Sequence, residues 1–138
     1  MSYTVRVRVR HSRADVYFRI AEMAVYYDGA WADSDSVLKL TMGGSGTSGM
    51  LRFQSEDGDE RFAVAIGVHN YKPWVHILPD LATSETTIVL LPQYYAGGKH
   101  SGIPIVPKCN VQSSGPRDFS AEFTRNEGNR YSMEIVIG

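Results

Sequence analysis

The stretch from Thr41 to Phe53, TMGGSGTSGMLRF, decides the fold class, because it joins two patterned segments through a run of glycine, serine and threonine. Its letters GSGTSG spell G-x-G-x-x-G, the pattern with which dinucleotide-binding proteins hold a pyrophosphate at a helix N-terminus. Here Leu51 and Phe53 alternate with polar residues, which predicts a strand and not a helix. Residues 37–42, VLKLTM, alternate in the same way. The run therefore joins strand to strand, and the motif does not indicate a nucleotide site.

Alternation of apolar and polar residues recurs along the chain and predicts an all-β fold. About seven short strands separated by turn signals are typical of an antiparallel β-sandwich. Two hairpins are expected, one across Asp57-Gly58 and one across residues 126–129. The candidate strands outside the opening stretch are residues 3–9, 16–27, 62–66, 119–123 and 131–137.

Residues 84–107, SETTIVLLPQYYAGGKHSGIPIVP, interrupt this pattern with three prolines and three glycines. They predict a long connection that carries at most one or two helical turns. Ser84 or Thr86 is a candidate N-cap for such a turn ahead of Leu90 and Leu91.

The composition indicates one globular domain, residues 1–138, without a built-in attraction to polyanions. The chain has 14 Lys and Arg against 15 Asp and Glu, so neither nucleic acid nor an anionic membrane is an expected partner. The local basic run of Arg6, Arg8 and Arg10 alternates with apolar residues. This spacing favours a solvated strand face or a subunit contact over nucleic-acid binding.

Targeting signals are not found in the sequence. The single cysteine, Cys109, excludes an internal disulfide, and no apolar run approaches the ~18 residues of a membrane span. Residues 2–10 alternate instead of forming the apolar block of a signal peptide. We therefore expect a cytoplasmic protein.

Catalytic and metal-binding constellations are equally sparse. The four histidines lack H-E-x-x-H or a zinc-type spacing with cysteine. Cys109 has no evident pairing histidine, so it reads as a half-buried apolar filler and not as a nucleophile. Asp57, Asp59 and Glu60 cluster at a turn, where carboxylates are normally solvated. We expect a protein that is not an enzyme and needs no metal or cofactor.

Two segments have the chemistry that sugar recognition requires. Sugar hydroxyls both donate and accept hydrogen bonds around a patch of C–H bonds, so a receptor needs short polar groups beside an aromatic face. Residues 43–49 offer backbone N–H groups without obstructing side chains, and residues 67–74, GVHNYKPW, offer an amide and an imidazole beside Tyr71 and Trp74. The alternative is that both aromatic residues fill the core and the glycine run is only a loop.

At these segments the chain resembles the fungal fruit-body lectins. The resemblance is carried by LTMGGSGTSG at 40–49, LRF at 51–53, GVHNYKPW at 67–74, the pair Tyr94-Tyr95 and the closing IVIG at 135–138. The opening residues 3–9 are similar too, and the likeness runs from end to end with small gaps.

The resemblance implies a fold and a function. The fold would be a β-sandwich of the actinoporin-like type, with a short helical connection between the sheets and homotetramer assembly. The function would be that of a lectin, a defensive agglutinin, for Galβ1-3GalNAc (the Thomsen–Friedenreich antigen) and related O-glycans, without cofactor or metal. The sugar site would be formed by Ser45, Gly46, His69 and Asn70, together with a residue near Asp28.

Asp28 departs from the family pattern. Fruit-body lectins usually have alanine at this point, followed by asparagine and glycines, whereas this chain has the shorter YDGAW at 27–31. A carboxylate accepts hydrogen bonds strongly from sugar hydroxyls. We therefore expect Asp28 to shift the specificity at that end of the sugar.

A second family site, selective for terminal N-acetylglucosamine, matches poorly. Its aspartate-isoleucine-x-threonine run corresponds to His76-Ile77-Leu78-Pro79, its arginine to Lys99 or His100, and its tyrosine to Cys109. The aspartate and threonine of the family pattern are missing as hydrogen-bond acceptors for the sugar, which costs ~1 kcal/mol or more for each missing hydrogen bond. We predict that this second site is absent or altered.

Two alternatives come from other classes of protein. The same fold serves pore-forming cytolysins, which insert an amphipathic segment that lies ahead of the first strand. Here the first strand is expected to begin at about residue 3, so we expect no membrane insertion. An enzyme would need a nucleophile with its base, and turnover of a glycoside would reveal one.

Overall fold

The computed structural model describes residues 2–34, 36–44 and 46–138. These residues form ten strands and a short helical connection, arranged as two sheets packed face to face. The fold class expected from the sequence, a β-sandwich with a helical connection, is confirmed. The strands are β1 Tyr3–His11, β2 Phe18–Tyr26, β3 Gly29–Ser34, β4 Val37–Met42, β5 Ser48–Ser55, β6 Arg61–His69, β7 Lys72–Leu78, β8 Lys108–Gln112, β9 Asp118–Glu127 and β10 Arg130–Ile137.

The first sheet has six strands in the order β3-β4-β1-β10-β9-β8. β1 alternates as expected, with Val5 and Val7 in the core and Arg6 and Arg8 on the outer face. The pairing of β1 with β10 is parallel, whereas the other neighbours in this sheet are antiparallel. The sheet is therefore mixed, which differs from the purely antiparallel pairing expected. Hairpins give antiparallel pairs, but here the first strand pairs with the last.

The second sheet has four strands in the order β2-β5-β6-β7. The hairpin of β5 and β6 across Asp57-Gly58 is confirmed, and so is that of β9 and β10 in the first sheet. β5 and β6 are buried on both faces, which explains why residues 62–68, FAVAIGV, are apolar without interruption. Strands β3, β7 and β8 lie where no strand was expected.

The main core lies between the two sheets. It consists of inward-facing aliphatic and aromatic side chains from both, and the rings of Phe53, Phe62 and Phe119 stack at its centre. A smaller apolar cluster covers the opposite, outer face of the four-stranded sheet. There Met50, Ala63 and Ala65 of the sheet contact Leu90, Leu91 and Tyr94 of the helical connection.

The helical connection has one α-turn, α1 Thr87–Leu90, followed by a 3₁₀ turn, Leu91–Tyr94. Thr86 occupies the N-cap position, but its side chain makes no capping hydrogen bond. The buried guanidinium of Arg52 holds the preceding segment, since its Nε donates to the Glu85 carbonyl at 3.0 Å. Neither helical segment of the described residues has the length or apolar character of a membrane span.

Candidate functional site

Three turns lie next to each other at one end of the four-stranded sheet, where β2 and β6 end and β5 begins. Ser48, the first residue of β5, pairs with Tyr26 near the end of β2 and with Gly67 near the end of β6. The β2–β3 turn, the β4–β5 loop and the β6–β7 turn therefore lie side by side. The first contains Asp28, the second Gly46, and the third Asn70, so the structure brings together these predicted residues. Ser45 was also predicted for this site and lies outside the described residues.

Asp28 packs directly on the β4–β5 loop. The Gly43 amide donates to the Asp28 carbonyl at 2.8 Å, and the Asp28 carboxylate lies against the α-carbon of Gly43. A β-carbon at position 43 would collide with that carboxylate, so glycine is required there by the close approach. Asp28 is thus fixed beside the loop that carries Gly46.

The described hydroxyl groups at the end of the β4–β5 loop, those of Thr47 and Ser48, are held in structural hydrogen bonds. Thr47 is buried, and its hydroxyl donates to the Gly44 carbonyl at 2.7 Å, which closes the loop on itself. Ser48 is also buried and shares a 2.6 Å hydrogen bond with the Tyr95 hydroxyl. Gly46 instead is exposed and has a φ of +84°, in the region that favours glycine. Its backbone is therefore accessible from solvent.

The β6–β7 turn is a two-residue hairpin connection in which Asn70 and Tyr71 both have positive φ angles, 49° and 64°. Such turns match the twist of the strands that they join, and asparagine is one of the residues that tolerate them. Tyr71 is held by an edge contact of its ring with Tyr3 and by a hydrogen bond from the Tyr131 hydroxyl to its carbonyl. Asn70 and His69 are exposed, with the Asn70 amide 3.4 Å from His69 Nε2.

A cavity of about 200 Å³ opens at this end and is lined by both Gly46 and His69. Its apolar wall is aromatic, from Trp74, Tyr94 and Tyr95. The Trp74 ring lies 5.7 Å from that of Tyr94 and covers Gly67, where a β-carbon would strike the indole. The site therefore has hydrogen-bonding groups on one side and ring faces on the other.

The chain as a whole is similar to a group of known proteins. The family model for the fungal fruit body lectins matches residues 1–135. The Boletus edulis lectin is 37% identical over 143 residues, covering 99% of both chains. The crystal structure of the wild-type Xerocomus chrysenteron lectin XCL has a TM-score of 0.95 at 37% identity and covers 100% of each chain. A mutated form of that lectin gives a TM-score of 0.95 at 38% identity, covering 100% of this chain and 99% of that one.

The chain belongs to the fungal fruit body lectin family. The resemblance inferred from the sequence motifs is thereby confirmed. As a member of this lectin family the protein is a carbohydrate-binding protein, and the relatives point to a non-enzymatic role.

The residues expected at the second lectin site are only partly brought together. His76 and His100 lie on the outer face of the four-stranded sheet, with ring centroids 5.5 Å apart. His76 Nδ1 shares a 2.7 Å hydrogen bond with the Tyr94 hydroxyl. Burial lowers the pKa of both imidazoles, and burial raises the pKa of the Tyr94 phenol well above its usual range. All three groups are therefore uncharged at neutral pH.

Two other residues of that set, Ile77 and Cys109, face away from the histidines. Ile77 is buried in the core between the sheets, and Cys109 packs against the same core from β8. Burial raises the pKa of the Cys109 thiol, so the thiol is protonated and suits an apolar filler. Pro79 follows the end of β7. No three His, Cys, Asp or Glu side chains of the described residues are grouped closely enough to hold a metal ion.

Sequence reasoning missed the part that the helical connection plays in the cavity. The aromatic face was expected from Trp74 and Tyr71, but Tyr71 packs against Tyr3, and Tyr94 and Tyr95 take its place. The Tyr95 ring is stacked on Tyr26 at 3.7 Å, and burial raises the pKa of its phenol. Adjacent tyrosines in a segment otherwise rich in glycine and proline were the available signal.

Proposed function

We propose that the cavity between the β4–β5 loop and the β6–β7 turn binds galactose-type sugars, with Galβ1-3GalNAc of O-glycans as the preferred ligand. The observation that carries the proposal is that Gly46 and His69, from two separate turns, line one cavity with an aromatic wall. Backbone amides, an imidazole and an amide side chain offer mixed donors and acceptors to the sugar hydroxyls. The ring of Trp74 or Tyr95 offers an apolar surface to the C–H face of the sugar.

In this proposal each residue has its own task. Gly46 and Ser45 present the loop to the sugar, and Asn70 with His69 orients the galactose-type ring. Asp28 adds a charged acceptor at the far side of Gly43. We propose that the altered second set, His76, Ile77, Pro79, His100 and Cys109, gives no N-acetylglucosamine site, because it lacks the carboxylate and threonine of the family pattern and His76 Nδ1 is hydrogen-bonded to Tyr94.

A glycan array of the purified protein, followed by calorimetry with the disaccharide, tests this function. We expect glycans that end in Galβ1-3GalNAc to bind, and glycans that end in N-acetylglucosamine not to bind. The variant Asp28→Ala should change the ranking among galactosyl glycans while the protein stays folded. An array on which no galactosyl or GalNAc glycan binds would reject the proposal, as would haemolysis without agglutination.

We further propose that several copies assemble, as a tetramer, into a multivalent agglutinin that acts in defence. One open sugar site binds weakly, and linked sites raise avidity by ~10² to 10⁴.

A further inference from the structure

A second concave surface lies on the outer face of the six-stranded sheet, away from the sugar cavity. This groove has a volume of about 420 Å³ and is built by β1, β4, β9 and β10. Its lining includes four cationic side chains, Arg6, Lys39, Arg125 and Arg130, and one acidic side chain, Glu127. It shares no lining residue with the cavity that contains Gly46 and His69. A ligand of this groove is therefore independent of sugar binding in the other cavity.

Three of the four cations of the groove, Arg6, Lys39 and Arg125, stand in one row across the sheet. Arg6 on β1 is directly opposite Lys39 on β4 and, on its other side, opposite Ser132 on β10. Ser132 is in turn opposite Arg125 on β9. Neighbouring strands lie about 4.8 Å apart, so the row is short. Like charges directly opposite each other on a sheet repel, so the pair of Arg6 and Lys39 favours a negatively charged neighbour.

The adjacent row on the same face contains carboxylates as well as cations. There β1 contributes Arg8, β10 contributes Glu134, β9 contributes Glu122 and β8 contributes Lys108. Arg10 also lies 3.5 Å from Glu134, and Lys108 lies 4.0 Å from Glu122. In this row β10, which lies between β1 and β9, thus supplies a carboxylate. In the groove the equivalent position on β10 is Ser132, a small neutral hydroxyl.

The groove's own carboxylate does not reach the centre of the row. Arg125 lies 3.6 Å from Glu127, with both side chains exposed, and Arg130 is opposite the same glutamate in the strand register. Within the described part of the chain, Arg6 and Lys39 take part in none of the ion pairs. Arg6, which is next to Ser132, and Lys39, which is one strand further away, therefore have no carboxylate partner on the described part of the sheet.

We propose that this groove is an anion site that binds a sulfate or phosphate ester carried on a sugar. Arg6, Lys39 and Arg125 supply charge-assisted hydrogen bonds to the ester oxygens, a geometry for which guanidinium groups are well suited. The Ser132 hydroxyl supplies the neutral contact and leaves the volume that the ester fills.

A nucleic acid fits this groove less well than a substituted sugar. The aromatic residue in the lining, Tyr131, is buried and presents no ring face on which a base could stack. In the next row Glu134 and Glu122 neutralise the cations, so the cationic surface does not continue along the sheet as a polyanion would require. The cationic surface is therefore sized for one or two ester groups.

Calorimetry on the intact protein tests the proposal with four probes in ~0.15 M salt, where long-range attraction is screened. The probes are a heparin-derived sulfated hexasaccharide, its desulfated form, inositol hexakisphosphate and a short DNA duplex. We expect the sulfated hexasaccharide or the inositol phosphate to bind and the desulfated sugar not to bind. The stronger of the two identifies the source of the ester. Failure of both to bind, or tighter binding of DNA, overturns the proposal.

Variants locate the binding in the groove. Arg6→Gln and Lys39→Gln should each weaken binding about tenfold, the loss of one charge-assisted hydrogen bond. Ser132→Glu should abolish binding, because it places a carboxylate where the ester would sit. Arg10→Gln is the matched control, since it removes the same charge from the same face of β1 outside the groove. It should change the affinity by less than about twofold.

Each variant is first shown to be folded by its circular dichroism spectrum and its thermal midpoint. Equal losses in Arg6→Gln and Arg10→Gln would indicate unspecific charge attraction and overturn the site. Unchanged binding in Ser132→Glu would overturn it as well.

Discussion

Asn70 occupies a backbone conformation that restricts which residues can replace it. Its φ of 49° lies in the left-handed region, where most side chains are strained. We predict that Asn70→Ala lowers the free energy of unfolding by about 1 kcal/mol, whereas Asn70→Gly changes it by only a few tenths. Chemical denaturation of both variants beside the wild type measures the difference.

The same pair of variants separates the stability of the turn from sugar binding. Both remove the amide side chain, so both should weaken binding of Galβ1-3GalNAc, although only Asn70→Ala is destabilised. Retained affinity in Asn70→Gly would remove the amide from the proposed site and leave it a turn residue only.

His76 gives the protein a predicted dependence of stability on pH. Burial lowers its pKa, and the neighbouring His100 lowers it further, while the Tyr94 hydroxyl faces its Nδ1. As the pH falls below about 6.5, the unfolded chain takes up this proton before the folded protein does. The free energy of unfolding should therefore decrease from neutral to acidic pH through this residue, and stay constant above the unfolded pKa.

Carboxylates also titrate at low pH, so a variant must isolate the histidine. His76→Gln keeps a side chain that can hydrogen bond to Tyr94 and removes the titration. Between about pH 7.5 and pH 5 its thermal midpoint should fall less than that of the wild type. Parallel curves for the two proteins would show that His76 does not contribute.

Among the structural elements, the helical connection depends on Arg52. This buried residue of β5 donates from Nε to the Glu85 carbonyl at 3.0 Å and from Nη2 to the Thr83 carbonyl at 3.4 Å. Its Nε also lies 3.5 Å from Glu22. Arg52→Leu should lower the free energy of unfolding by about 2 to 3 kcal/mol, because charged hydrogen bonds are lost and Glu22 loses its cationic partner, keeping only the hydrogen bond from the Thr87 amide.

The exposed Arg19 on β2 provides the control, since Arg19→Leu removes the same charge from a solvated position. Guanidinium denaturation of both variants should show a lower midpoint for Arg52→Leu and little change for Arg19→Leu. Similar midpoints would mean that the connection is held by its apolar contacts with Met50 and Ala65 alone.

The hairpins could be predicted from the sequence because their turns are formed by residues that favour turns. The hairpins around Asp57-Gly58 and residues 126–129 follow from alternation and turn residues, and both are found. β7 could not be recognised, because its outward-facing Trp74 and His76 are covered by the connection and the segment KPWVHIL does not alternate. The parallel pairing of β1 with β10 joins the two ends of the chain, and no local pattern encodes it.

The candidate site could likewise be predicted only in part from the sequence. Gly46 and His69 stand at the ends of the paired strands β5 and β6, so their proximity follows once that hairpin is recognised. Tyr94 and Tyr95 reach the cavity only because the connection folds back over the sheet. Their place depends on packing between distant segments, for which the sequence offered only the family motif.

At the scale of the whole molecule, the two concave surfaces lie on different sheets. The cavity proposed to bind sugar is formed at one end of the four-stranded sheet. The cationic groove lies on the outer face of the six-stranded sheet. The apolar core between the sheets separates the two. A glycan with both a galactosyl end and an ester group would thus have to engage the two surfaces separately.

Agglutination depends on the assembled protein, because cross-linking of cells needs at least two sugar sites on one particle. We expect the purified protein to have a mass in solution of several times the 15.3 kDa chain and to agglutinate cells with exposed Galβ1-3GalNAc. The free disaccharide should inhibit this. Asn70→Gly should lose agglutination while its mass by light scattering stays that of the wild type, which separates the sugar site from assembly. A monomeric mass together with agglutination would contradict the requirement for several linked sites.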